Sequence, residues 1–73
     1  MVTTLLSKSF PERPATVPVS VVLRDFGPDA LHRYVTHCHD DSAGPNEGFY
    51  WGHYFADLAK ATDDFAERCR RYE

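Results

Sequence analysis

Two runs hold most of the side chains in this 73-residue chain that can do chemistry: Tyr34-Val35-Thr36-His37-Cys38-His39 and Phe49-Tyr50-Trp51-Gly52-His53-Tyr54-Phe55. They contain three of the four histidines, one of the two cysteines and the only tryptophan. On a β-strand, His37 and His39 project to one face, because alternate residues share a side. A third imidazole from a neighbouring strand, His53, would complete a three-histidine set for zinc, with Asp40 or water as fourth ligand. The register decides this, since a shift of one residue carries His53 to the other side of the sheet. The plainer reading of the same residues is a set of polar side chains on a partly exposed sheet face.

Cys38 lies between two histidines in sequence, as a nucleophile lies beside its base in a cysteine enzyme. Adjacent strand residues point to opposite faces, so neither histidine is placed to activate the thiol. Asp63 and Asp64 do not make an acid pair either, because successive helix positions diverge by about 100°. No nucleophile elbow, phosphate loop or dinucleotide-binding glycine pattern occurs in the sequence. The expectation is a non-enzymatic protein with no cofactor.

These residues need elements to position them. Pro11 and Pro14 stand in a polar context, and proline lacks the donor that a central strand requires, so residues 1–16 read as an extended arm. Val17, Val19, Val21 and Leu23 alternate with Pro18, Ser20 and Val22, the period of a strand, with Pro18 marking an edge or a start. Asp25-Phe26-Gly27-Pro28-Asp29 has turn composition, Leu31 to His39 reads as a second strand, Asp40 to Gly48 as a loop, and Phe49 to Phe55 as a third strand paired with the second in a hairpin. Gly52 within it marks a bulge or an aromatic neighbour that needs room.

From Asp57 onward, Leu58, Ala61, Phe65, Cys69 and Tyr72 recur at spacings of three and four, which makes one apolar helix face from 57 or 58 to 72. Asp57 suits the N-cap, and Arg68, Arg70 and Arg71 suit the carbonyl end. The expected fold is α+β: a small antiparallel three-stranded sheet, β-β-β-α, packed by one C-terminal helix, with residues 17–73 as the domain. Phe49, Trp51 and Phe55 share one strand parity and are expected to pack under Leu58 and Phe65. Tyr34, Tyr50 and Tyr54 share the other and are left for a contact surface, because tyrosine joins apolar area to a polar tip.

The net charge of −3 is unevenly spread. Residues 25–67 carry nine acids against Arg33 and Lys60, whereas both ends are net basic. An acidic body disfavours a phosphate backbone, whose affinity comes largely from Lys and Arg, and so disfavours a DNA-binding regulator built on the arm and Arg68, Arg70 and Arg71. It suits a partner protein with a basic surface, met through Asp40, Asp41, Glu47 and the tyrosines. Two cysteines are too few for a disulfide framework and are expected reduced and buried. No apolar run approaches the roughly 20 residues of a membrane span, and the N-terminus lacks a signal-peptide pattern, so a cytoplasmic protein is expected. A chain this short is often marginal alone, which leaves a homodimer open.

Tyr34 to His37 and Tyr50 to Phe55, followed by Ala61, Asp64-Phe65 and Arg68-Cys69, resemble a group of small uncharacterised proteins carried by plasmids, phages and integrative elements. The resemblance spans residues 34–72. Its format is similar to that of anti-CRISPR inhibitors, and it implies an inhibitor or accessory factor that occupies a surface of a host defence complex, with acidic residues standing in for phosphates.

Overall fold

The computed structural model describes residues 2–10 and 18–72. Four antiparallel strands follow one another in space as in sequence: β1 (Thr3–Phe10), β2 (Val19–Asp25), β3 (Tyr34–Asp40) and β4 (Phe49–Phe55). One helix, α1 (Leu58–Tyr72), packs across β2, β3 and β4. The expected three-stranded sheet is thus corrected to four strands. The added one is β1, formed by residues expected to be part of an extended arm, and residues 11–17 lie outside the described residues. Edge position explains why β1 was hard to read. It needs only one ladder, with β2, and almost all of its residues remain exposed, so no alternation of apolar and polar residues is demanded of it. Its contact with α1 includes the Phe10 ring, stacked on Tyr72 at 5.3 Å between centroids.

β2 begins directly after Pro18 and is an interior strand, so the proline marks a strand start and not an edge. Val19, Val21 and Leu23 point at the helix, opposite Asp40, Cys38 and Thr36 of β3. Val21, Leu23, Thr36, Cys38 and Ala61 are fully buried and form the centre of the core. Each of the larger apolar side chains in this group contributes about 1.5–3 kcal/mol by burial. Asp57 caps α1 as expected: its carboxylate accepts from the Ala59 amide at 2.9 Å.

Two polar turns fix the strand ends. In the β2–β3 connection Asp25 accepts from the Gly27 amide at 2.8 Å and from Arg33 at 2.9 and 3.0 Å, and Gly27 takes φ 99°. This turn absorbs Leu31 to Arg33, so β3 starts at Tyr34 and not at Leu31. In the β3–β4 connection Asp40 accepts from the Ser42 amide and hydroxyl, at 2.9 and 2.6 Å, while its own amide donates to Gly48 O at 2.9 Å. Gly48 has φ 83°, and a Cβ there would stand 2.7 Å from the Ala43 Cβ. Gly48→Ala is expected to destabilise the fold by about 1–2 kcal/mol, since it meets both a left-handed backbone penalty and a clash. Thermal denaturation checks this as a fall in Tm of several degrees.

Candidate functional site

The pairing of β3 with β4 decides which side chains meet. Val35 faces Tyr54 and Thr36 faces His53, but Cys38 faces Tyr50, so Trp51 and Gly52 together stand opposite His37. This β-bulge reverses the strand parity at its midpoint. Phe49 and Tyr54 share the far face with Val35, His37 and His39, whereas Tyr50, His53 and Phe55 share the helix face with Thr36 and Cys38. His53 is therefore on the side of the sheet opposite His37 and His39, and the three imidazoles do not converge. Among the described residues no group of three or more His, Cys, Asp or Glu is placed to hold a metal ion.

The bulge also divides the aromatic sets. Tyr34 and Tyr50 turn toward the helix face and are partly covered, while Tyr54 is 63% exposed on the far face. Trp51, expected in the core, is 71% exposed with φ 57°. Leu58, expected above it, is exposed as well. Gly52 serves both purposes foreseen for it: it sits at the bulge, and the Tyr54 ring lies across it, so that a Cβ would meet Tyr54 Oη at 3.1 Å. Tyr54 also touches the His32 ring, 5.9 Å away, beside Leu31, which is 88% exposed.

Between sheet and helix the space foreseen for Leu58 and Trp51 belongs to a polar network. Asp64 accepts from Thr36 Oγ1, from His53 Nδ1 at 3.0 Å and from Arg68 Nε at 3.2 Å. Burial alone would raise the Asp64 pKa, but these three donors hold it below the usual carboxylate range. Arg68, only 5% exposed, also donates through Nη2 to the Trp51 carbonyl and through Nη1 to Cys38 Sγ at 3.5 Å. The Tyr72 hydroxyl lies 3.3 Å from the same sulfur. Cys38 thus faces α1, away from His37 and His39, and both cysteines are buried and outside any disulfide, in line with the sequence.

On the far face the side chains cover the sheet themselves. Phe49 packs on His37 and His39 at 4.7 and 4.6 Å, and the Arg24 guanidinium lies over Phe49 and Phe26 at 4.3 and 5.1 Å. The acids expected to meet a partner are partly spent here. Asp41 accepts from Ser20 Oγ at 2.7 Å and pairs with His39 Nδ1 at 2.9 Å, and Asp40 builds the turn, whereas Glu47 is exposed. His39 Nε2 reaches Gly44 O at 3.1 Å, so both ring nitrogens face acceptors. Burial works against its charge, but Asp41 and the Gly44 carbonyl prevail and raise its pKa.

His37 is the opposite case. It is 8% exposed, its Nε2 has no hydrogen-bond partner among the described residues, and burial together with the charges of Arg24, Arg68 and His39 lowers its pKa to about 4. Comparisons of the chain with protein-family models, curated proteins and solved structures yield no match.

Two outcomes follow from this geometry. The strained backbone at Trp51 predicts that Trp51→Gly is more stable than Trp51→Ala by about 1 kcal/mol, read as a higher Tm in thermal denaturation, because glycine occupies the left-handed region without penalty. For His37 the lowered folded pKa makes the unfolded chain the better proton acceptor. Stability is unaffected above pH 6.5 and falls as pH drops from 6.5 toward about 4, by up to about 3 kcal/mol. His39, with its raised pKa, acts in the other direction: its contribution is complete below pH 6.5 and is lost on the alkaline side. Urea titrations from pH 7 to 4.5 are expected to show a steeper loss of stability in the native chain than in His37→Leu.

Proposed function

We propose that this chain is a non-enzymatic protein-binding factor whose contact centres on Trp51, with Tyr54 and Glu47 as neighbouring elements of the surface. The observation that carries the reading is a tryptophan 71% exposed at φ 57°. That backbone region disfavours a bulky side chain by about 1–2 kcal/mol, and an exposed indole recovers little of it by burial. The indole meets the ring of its neighbour Tyr50 edge-on at 5.1 Å between centroids, and strain that yields so little burial is best understood as the presentation of a side chain to something outside the molecule. Tryptophan is also the residue most often found at the energetic centre of protein interfaces.

Both sheet edges favour recognition by side chains over strand addition. β1 has a register shift between Thr4 and Leu6, and β4 has the Trp51 bulge, and such irregularities blunt an edge against pairing with another strand. Charge supports a basic partner, since the net charge is −3 and Glu47, Asp29 and Asp63 are exposed. Two buried cysteines, neither in a disulfide, suit a reducing, cytoplasmic setting. An inhibitor or accessory role toward a host protein complex is the form of this activity that a small acidic domain suits.

The test is affinity capture from host cells with the full chain, followed by titration of the captured protein. Trp51→Ala is expected to weaken the complex about thirtyfold or more, the loss typical of an interface centre, with an unchanged circular dichroism spectrum. Glu47→Lys is expected to weaken it less and mainly by slowing association. Equal affinity of native and Trp51→Ala chains would overturn the reading.

A further inference from the structure

We infer that Arg68 is a positioning residue for Trp51: its buried guanidinium holds the Trp51 carbonyl and thereby selects the backbone conformation in which the indole is displayed. The inference rests on the reading of Trp51 as the contact residue and adds how that contact is controlled.

Arg68 is withdrawn from water, so its donors must be met within the protein. Nε is met by Asp64 and Nη1 by Cys38, both fixed in place: Asp64 is held by Thr36 and His53, and Cys38 is fully buried in β3. Nη2 is met by the Trp51 carbonyl, which belongs to the one non-glycine residue with positive φ among those described. A rigid, planar fork anchored at two points leaves little freedom at the third. The carbonyl orientation is tied to φ and ψ on either side of it, so fixing it fixes the bulge. When the bond is broken, Trp51 is free to leave the left-handed region, and the side chain moves with the backbone.

The Asp64 hub extends this control. The carboxylate joins β3 through Thr36, β4 through His53 and α1 through Arg68, so a ligand that pulls on the half-exposed His53 ring or on α1 acts on the same arginine. By linkage, a partner that grips Trp51 stabilises the docked helix in return.

Trp51 is the only tryptophan, so its fluorescence reports the site without any partner. The experiment compares the full native chain with Arg68→Lys and Asp64→Asn, well below each Tm, by time-resolved Trp51 anisotropy and by amide hydrogen exchange at Gly52 and His53. Arg68→Lys keeps the charge but loses the fork, and Asp64→Asn keeps the shape but releases the arginine. Both are expected to add a fast local component to the anisotropy decay and to speed amide exchange at the bulge about tenfold, the effect of losing one charge-assisted hydrogen bond. Val22→Ala, which removes a buried side chain from the far face of β2 and leaves α1 and the network untouched, controls for lowered stability and is expected to leave both readouts as in the native chain. If one arginine-network variant fails to fold, the other carries the test. Native-like anisotropy and exchange in a folded variant of lowered Tm would overturn the inference, and so would equal changes in Val22→Ala. These outcomes are independent of partner capture, so the role of Arg68 and the role of Trp51 as a contact fail separately.

Discussion

The structure depends on one buried cation. Arg68 enters the space between helix and sheet where an apolar residue would ordinarily be expected, and removing its charge from water is tolerable only because Asp64, Cys38 and the Trp51 carbonyl surround it. That requirement organises what lies nearby. Asp64 must remain ionised, so it recruits Thr36 and His53 as further donors. The helix is thereby registered on β3 and β4 by directional bonds, which apolar packing through Ala61 and Cys69 alone would not supply.

The two faces of the sheet solve their electrostatic problems differently. On the helix side a carboxylate is placed among donors and held ionised. On the far side His37 and His39, two residues apart, are shifted in opposite directions. His39 has an acceptor at each nitrogen, which raises its pKa against the cost of burial, while burial and the nearby Arg24 and Arg68 lower that of His37 to about 4. Phe49 packs against both rings, so their apolar contacts are shared although their polar surroundings differ. No helix in the described residues is long and apolar enough to cross a membrane.

The helix was legible almost to the residue, since Leu58–Tyr72 follows directly from the spacing of its apolar positions and from Asp57 as N-cap. So was β4, bounded by turn residues on one side and by the cap on the other. β1 was missed because an edge strand with exposed faces carries little periodicity. Within the site the separation of Cys38 from His37 and His39 was readable, because strand alternation is local. The fates of Trp51, Leu58 and Arg68 were not. Their types predicted two core residues and a solvated cation, and the buried network inverted all three.

What the sequence by itself determined about this protein were the local elements and their signals: strand alternation in β2 and β3, the helix with its cap, the polar turns, and Gly52 as the place of an irregularity. What only the tertiary structure decided was the face each residue of β4 presents. A bulge shifts parity by a single position, and the bulge at Trp51–Gly52 leaves the Trp51 carbonyl to a donor on the helix. That donor is Arg68, 17 residues away in sequence, and no local pattern encodes a bond of that range.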